Sequence, residues 1–381
     1  MIPLSRPSFG PEETAAVGEV LETGWVSQGP KVADFERSVA NFVSAPAAVA
    51  VSSCTAALHL AVLELGIGGG DEVILPSHSF IATANAIMYC GATPVFVDID
   101  PTTYNIDPAL VAGAISEKTK AILCVHQLGM PCDLPALAAI ASDFGLRLIE
   151  DAACALGSEF LWKKAWWRIG TPVGDVACFS FHGRKPISTG EGGMLTTGDL
   201  ASADRLRILR HHGMSVPDTV RHKSKSAITE SYDFIGYNYR LSDIQAAVGE
   251  VQMVRLPAFV NRRREIANLY RAMIESVSGV EAPHEPDWAR SNWQSYCVRL
   301  SDGINQRSVI DRLRASGIAA KGGVMCSHRE PAYSDSRSGW RQGSDLSESE
   351  AAQDNALLLP MFDGLSDSEV ETVVEALEKA I

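Results

Sequence analysis

The sequence predicts an α/β protein with a mostly parallel central sheet, helices on both of its faces and a smaller C-terminal α/β domain. Short apolar runs typical of strands alternate with segments whose apolar residues recur at helical spacing, as in repeated strand-helix-strand units. Small and acidic residues follow several of the strand-like runs, at the sheet edge where open α/β folds bind ligands. The 381 residues suffice for one large and one small domain.

The strand-like runs are short and apolar, and turn-forming residues bound most of them. They cover residues 47–52, 72–75, 94–97, 121–125, 146–149, 176–181 and 193–196. Helix-like segments cover residues 79–89, 108–115 and 134–144, and a further helix opens within residues 53–58. From Arg240 a long helical stretch runs through Leu256 towards Met273. We place a domain boundary inside it, which divides residues 1–250 from residues 251–381.

Lys185 follows the strand-like run at residues 176–181 and lies in a loop rich in Gly, Pro, Ser and Thr. Such a loop lets the lysine project into a cleft, although most lysines are solvated surface residues. An amine held in a cleft can form a covalent bond with a carbonyl compound. The position of Lys185 therefore makes it a candidate for covalent chemistry.

Asp151 ends the strand-like run that begins near Arg147, which places its carboxylate at the ligand-binding edge of the sheet. The helix that opens at Ser53 starts with small residues, and the free N–H groups of such a start suit a phosphate. Ordinary N-capping is the simpler role for Ser53 and Thr55. A phosphate cradle, a buried acid and a reactive amine together match the needs of pyridoxal phosphate.

Motifs along nearly the whole chain resemble those of the DegT-type family of pyridoxal-phosphate-dependent nucleotide-sugar aminotransferases, including its perosamine-synthase-like members. The resemblance implies the type I fold of such enzymes, which is similar to that of aspartate aminotransferase. The matching segments are residues 6–7, 24–30, 53–58, 79–85, 97–100, 126–129, 150–153, 178–194, 236–247, 328–333 and 357–360.

The resemblance assigns roles to individual residues. It implies that Lys185 forms the Schiff base with the cofactor and acts as acid and base, and that Asp151 faces the pyridine nitrogen. Further cofactor contacts implied by position are Thr55, Ala56, Phe80, Cys154, Ser180 and Asn238, the last reaching across from a partner subunit. The residues implied on the substrate side are Trp25, Arg240, His328 and Tyr333. For His328 the structural alternative is that it caps a loop.

The chain departs from the family pattern near the cofactor. Cys154 stands where many members have Gln or His, and Cys54 replaces a frequent Gly in the phosphate segment. Gly183 replaces a usual Pro, and Pro186 biases Lys185 away from helical geometry. We expect these differences to tune the site. A family branch with His at the lysine position carries out dehydration, and Lys185 argues against that branch.

The implied activity is transfer of an amino group from L-glutamate to a nucleotide-linked keto-sugar, with pyridoxamine phosphate as the intermediate carrier. A 4-keto-6-deoxyhexose is the sugar that the resemblance favours, and a homodimer with shared active sites is the expected assembly. One alternative acceptor is a cyclitol or other keto compound. A non-catalytic regulatory homologue is the other alternative, but such a protein would not need Lys185, Asp151 and Asn238 together.

Two segments lie outside this assignment. Residues 221–225 are basic, and they are either a solvated loop or, with Arg240, a contact for the substrate diphosphate. Residues 161–168 are rich in Trp, and they form either a substrate-facing lip or a surface hairpin.

Charge, apolar runs and cysteine spacing bear on the possible partners and the cellular location of the protein. The formal net charge of −13 argues against a nucleic-acid partner, and no apolar run is long enough to cross a membrane. The N-terminal residues lack the pattern of a signal peptide. The eight cysteines form no CxxC pair, which fits reduced thiols in a cytoplasm and predicts no metal site.

Overall fold

The computed structural model describes residues 1–216, 229–334 and 339–381, and the fold below refers to these ranges. In chain order the strands are β1 (Ala47–Val51), β2 (Glu72–Pro76), β3 (Thr93–Val97), β4 (Thr119–Val125), β5 (Arg147–Asp151), β6 (Glu159–Trp162), β7 (Ala165–Arg168), β8 (Val176–Ser180), β9 (Gly193–Thr197), β10 (Val280–Glu281), β11 (Ala289–Arg290), β12 (Tyr296–Leu300), β13 (Lys321–Gly322), β14 (Arg341–Gln342) and β15 (Ala356–Leu359). The helices are α1 (Pro11–Thr23), α2 (Pro30–Val43), α3 (Cys54–Glu64), α4 (Ala82–Tyr89), α5 (Pro108–Ala114), α6 (Leu134–Phe144), α7 (Leu200–Leu209), α8 (Asp243–Ile274), α9 (Gln306–Ala315), α10 (Pro331–Ser334), α11 (Ser347–Asn355) and α12 (Asp367–Ala380).

The central sheet has the strand order β1-β9-β8-β5-β4-β2-β3-β14. Neighbouring strands from β8 to β14 pair in parallel, whereas β9 is antiparallel to both of its neighbours. Helices α2, α5, α6 and α8 contribute to the apolar core on one face, and α3, α4 and α7 contribute to the core on the other. This arrangement confirms the predicted α/β class and the mostly parallel sheet. Strands covered on both faces tend to be apolar runs, which is the pattern that the sequence shows.

Local sequence explains where the helices begin and end. The Asp133 side chain accepts the N–H of Ala136 at the start of α6, and Gly145 ends that helix with a left-handed φ of 65°. Ser242 and Gln245 form a capping box at the start of α8. Helix α4 begins at Ala82, three residues later than the predicted start, because residues 77–80 form a turn before it.

The C-terminal part contains a four-stranded antiparallel sheet of order β10-β12-β15-β13 with a separate apolar core. The second half of α8 and helices α9 and α12 contribute to that core. Several contacts cross the predicted boundary at residue 250; for example, Ile2 bridges Ile318, and β14 extends the central sheet. The division into residues 1–250 and 251–381 stays a prediction.

The Trp-rich segment forms a hairpin of strands β6 and β7, which β11 joins on its other edge. Lys163 and Lys164 make its turn, with left-handed φ values of 50° and 65°. The guanidinium carbon of Arg290 lies 3.8 Å from the ring centre of Trp166. The Trp-rich segment therefore has the form of the hairpin alternative.

The basic segment at residues 221–225 lies outside the described residues. Within the described ranges, no helix has the length and apolar character needed to cross a membrane.

Candidate active site

Lys185 lies in the loop that follows β8, and its Nζ atom donates to Cys154 Sγ at 3.1 Å. A turn hydrogen bond from Lys185 N to His182 O, at 2.9 Å, shapes this loop. Burial acts to lower the pKa of Lys185, but the neighbouring thiols and Asp151 favour the ammonium form, and its pKa lies above the ordinary value. The amine must therefore lose a proton before it can attack a carbonyl carbon.

Asp151 is the last residue of β5, and only 5% of its surface is exposed. The hydroxyl of Thr83 donates to its Oδ2 at 2.7 Å, and the N–H of Ala153 donates to its Oδ1 at 3.2 Å. Burial raises the pKa of Asp151, and these hydrogen bonds oppose that rise because they favour the charged form. The carboxylate is thus held in place at the edge of the sheet.

Helix α3 packs against β5, the strand that ends at Asp151. Ser53 is its N-cap and accepts the N–H of Ala56 at 3.1 Å, which is the capping role that the sequence offered as the simpler one. The first intrahelical bond joins Ala57 N to Ser53 O, so the N–H groups of Cys54 and Thr55 lie at the open end of the helix. A Cβ atom at Gly193 would lie 2.4 Å from the Ser53 carbonyl, so only glycine lets β9 approach this closely.

Phe80 lies in the turn between β2 and α4, and 66% of its surface is exposed. Its carbonyl accepts the N–H of Thr83, the residue that holds Asp151. An exposed aromatic face on such a turn provides a surface for a planar ring. Ser180 ends β8, and its Oγ accepts the N–H of His182 at 3.4 Å. A reactive amine, a buried carboxylate, an open helix end and a free aromatic face together fit pyridoxal phosphate.

Asn238 and Arg240 lie on the segment that leads into α8. Arg240 Nη2 donates to Asn238 Oδ1 at 3.4 Å, and Arg240 Nη1 lies 2.9 Å from His211 Nε2. The backbone N–H of Ser52, just before α3, donates to Tyr239 O at 2.8 Å. The structure thus brings this segment next to the start of the helix predicted to bind phosphate.

The remaining residues predicted on the substrate side are Trp25, His328 and Tyr333. Trp25 donates to Gln28 O at 3.0 Å in the turn before α2. His328 makes side-chain hydrogen bonds of 2.6 Å to Ser77 Oγ and 2.9 Å to Glu350 Oε1, contacts of the kind expected of a structural residue.

Tyr333 is almost fully buried, and its hydroxyl donates to Asn85 Oδ1 at 2.8 Å. Substrate binding by Trp25, Arg240, His328 and Tyr333 stays a prediction.

A model of one protein family matches residues 7–378 of the chain, described as the DegT/DnrJ/EryC1/StrS aminotransferase family. The chain belongs to this family. It is 39% identical to the spore coat polysaccharide biosynthesis protein SpsC of Bacillus subtilis, over 100% of this chain and 97% of that protein. It is 36% identical to the GDP-perosamine synthase of Caulobacter vibrioides, over 100% of this chain and 98% of that protein.

A solved structure of the putative sugar aminotransferase Spr1654 from Streptococcus pneumoniae, in its PMP form, superposes with a TM-score of 0.91 and 29% identity. The match covers 100% of this chain and 99% of that one. The family resemblance, the type I fold and the prediction of a pyridoxal-phosphate-dependent aminotransferase are thereby confirmed.

Sequence reasoning missed several residues that shape the site of this aminotransferase. Thr83 lies within a matching motif, but the sequence indicates no role for it, because its bond to Asp151 joins residues 68 positions apart in the chain. Asn292 and Gln294 received none either, although both donate to backbone carbonyls beside Cys154 and Lys185. No local pattern could identify them, since each contact joins segments more than 100 residues apart.

Proposed function

We propose that this aminotransferase moves an amino group from L-glutamate to a nucleotide-linked 4-keto-6-deoxyhexose. The observation that carries the proposal is the position of two groups: the Lys185 amine lies in the loop after β8, and the buried Asp151 carboxylate ends the adjacent parallel strand β5. The similarity to a GDP-perosamine synthase over both full chains supports a sugar carried on a nucleotide.

Each residue of the site has a defined task in this proposal. Bound pyridoxal phosphate supplies an aldehyde and a ring that withdraws electrons from the bonds at the reacting carbon. Asp151 would keep the ring nitrogen protonated, and the Thr83 hydroxyl holds the carboxylate in place for that task. The open end of α3 would hold the phosphate through the N–H groups of Cys54 and Thr55.

Lys185 has two tasks. Its amine would hold the cofactor aldehyde, and when free it would act as the base and acid that moves a proton between the substrate carbon and the cofactor carbon. Cys154 Sγ lies 3.1 Å from Nζ and keeps the amine near that path. The same groups act in the second half of the exchange, when the amino group passes to the keto-sugar.

We also propose a homodimer in which Asn238 reaches the partner subunit's site. The segment before Asn238 carries exposed apolar residues, with Tyr232 at 59%, Phe234 at 50% and Ile235 at 90% exposure. Apolar side chains grouped in this way are typical of an interface. Light scattering should give twice the chain mass, and Ile235→Asp should shift the measured mass towards that of the monomer.

The cytoplasmic location stays a prediction.

The test of the proposed function is the absorption spectrum of cofactor-loaded protein before and after addition of L-glutamate. The visible band should be replaced by the near-ultraviolet band of pyridoxamine phosphate. Nucleotide-linked 4-keto-6-deoxyhexoses should then restore the visible band, whereas keto-cyclitols should not. A spectrum that ignores L-glutamate would reject this donor, and restoration by a cyclitol alone would reject the sugar acceptor.

A further inference from the structure

Residues Ser291–Gln294, here called the strap, connect β11 to β12 in the C-terminal part of the chain. Asn292 has no exposed surface and Gln294 only 6%. The strap passes against the two loops that carry Cys154 and Lys185, whose side chains meet at 3.1 Å. Buried side-chain amides must have hydrogen-bond partners, and here those partners belong to the catalytic loops.

Two amide groups of the strap hold one loop each. Asn292 Nδ2 donates to the carbonyl of Cys154 at 2.8 Å and to that of Leu156 at 2.9 Å. Gln294 Nε2 donates to the carbonyl of Arg184 at 3.0 Å, directly before Lys185. The Asn292 amide therefore fixes the backbone of Cys154, and the Gln294 amide fixes the backbone of Arg184, the residue before Lys185.

The strap is itself held in a single conformation. Trp293 has a left-handed φ of 51°, a strained backbone state for such a residue that persists only where its surroundings impose it. The buried Arg263 supplies that constraint, because its Nη1 donates to the carbonyls of Trp293 at 3.3 Å and Gln294 at 3.4 Å. The N–H of Gln294 also donates to Asn292 Oδ1 at 2.9 Å.

Close packing on the sheet side completes the constraint. The backbone N–H of Asn292 donates to Ser158 Oγ at 3.0 Å, and that hydroxyl donates to Gly129 O at 2.6 Å. A Cβ atom at Gly129 would lie 2.1 Å from Asn292 Oδ1, so the strap could not reach this position beside any other residue. The strap thus has little freedom to move relative to the loop of Cys154.

We infer that Asn292 and Gln294 are positioning residues that set the separation of Lys185 Nζ and Cys154 Sγ and so aim the amine at the cofactor aldehyde. The inference rests on the proposed role of Lys185. In the step concerned, the amine nitrogen forms a C=N bond to the aldehyde carbon, and the aldehyde oxygen leaves as water. A misplacement of 1 Å can slow such a step by about a hundredfold, so the strap controls its rate without touching the reacting atoms.

The experiment separates cofactor condensation from cofactor binding in the full-length apoprotein. Pyridoxal phosphate is added to Gln294→Ala and Asn292→Ala variants, and the growth of the visible band is followed by stopped flow. Binding is measured with 4-deoxypyridoxine phosphate, which carries the phosphate but no aldehyde. We expect condensation to slow by about tenfold to a hundredfold, while the Kd of the analogue changes less than twofold.

Gln306→Ala is the matched control. The Gln306 side-chain amide also donates to backbone carbonyls of the C-terminal part, those of Gln353 and Ala356, but it contacts neither catalytic loop. Its condensation rate should equal that of the wild-type protein. If Gln294→Ala unfolds, Gln294→Met removes the donor at nearly the same volume and replaces it in the test.

Three results would overturn the inference: wild-type condensation rates in the strap variants, an equal loss in Gln306→Ala, or a loss of analogue affinity that matches the loss of rate. Borohydride reduction followed by mass spectrometry of the wild-type protein identifies the modified residue. Modification at a residue other than Lys185 would overturn the proposed role of Lys185 itself, whereas Lys185 modification with unaffected strap variants would overturn the strap alone.

Discussion

The cofactor half of the site, comprising Lys185, Asp151, Thr83 and the start of α3, differs from the substrate half, comprising Trp25, Arg240, His328 and Tyr333. Residues of the first half lie at the ends of central strands and helices or in the loops that follow them, and Thr83 contacts Asp151 directly. Residues of the second half lie on connecting segments or, for Tyr333, in the one-turn helix α10, and they bond to different neighbours. The regular fold thus positions the cofactor half, whereas the places of the residues predicted to bind the acceptor depend on irregular segments and chain-distant contacts.

The strongest test of this difference removes the amine. Lys185→Ala should lower the rate of the glutamate half-reaction by about ten-thousandfold, because both the anchor and the proton carrier are lost. Single-turnover spectroscopy measures the rate. Lys164→Asn, at the exposed turn of the β6–β7 hairpin, is the control and should react as the wild type does. Substantial activity in Lys185→Ala would remove the lysine from the chemistry.

Asp151→Asn should slow the same half-reaction by about a thousandfold, since an amide cannot hold a proton on the ring nitrogen as a carboxylate does. The change keeps the size of the side chain and its contact with Thr83. Thermal unfolding should therefore shift by only a few degrees, which separates chemistry from folding. A variant that loses stability while its rate per folded molecule is kept would contradict the assigned role.

The substrate half should respond to pH through His78, which neighbours Ser77, a partner of His328. Burial lowers the pKa of His78 to about 4, below the ordinary value of about 6.5. Between these values the unfolded chain binds a proton that the folded chain does not, so the free energy of unfolding should fall by about 3 kcal/mol as pH drops.

Urea unfolding at neutral and acidic pH measures this loss. His78→Gln should lose less of its free energy of unfolding at acidic pH than the wild type does. His182→Gln, at an exposed histidine, should lose as much as the wild type. An equal loss in all three proteins would show that His78 does not cause the pH dependence.

Thr83→Val should slow the glutamate half-reaction by about tenfold, because one hydrogen bond to a charged carboxylate is lost. Thr83→Ser keeps a hydroxyl and should recover most of the rate. The effect should appear in kcat with little change in KM for L-glutamate. Equal rates for the Val and Ser variants would show that the hydroxyl does not orient Asp151.

The smallest effect is expected at His328. His328→Ala removes hydrogen bonds to Ser77 and Glu350 and should lower the free energy of unfolding by about 1 to 2 kcal/mol. The glutamate half-reaction should stay within about twofold of the wild type. A large rise in KM for the keto-sugar at unchanged stability would instead place His328 in direct contact with the acceptor.

The places of the cofactor-half residues in the fold can be predicted from the sequence because they follow from regular structure, whereas their roles stay predictions. An apolar run such as Val176–Ser180 identifies a strand, and the residues that follow it must lie at the edge of the sheet. The contacts of Gln294 do not follow from any local pattern. They depend on the left-handed backbone of Trp293 and on Arg263, which lies 30 residues away in the chain. Such features become visible only when the packed structure is known.

Helix α8 fixes the distance and the angle between two sets of contacts. Near its first turn, Asp243 accepts the N–H groups of Gly29 and Val32 at the start of α2, and further along the same helix Arg263 holds the strap. One inserted residue between them would turn Arg263 by about 100° and move it by about 1.5 Å. Variation in length, in nature or by engineering, therefore belongs in turns such as that of the β6–β7 hairpin, and a chimaera should exchange α8 whole.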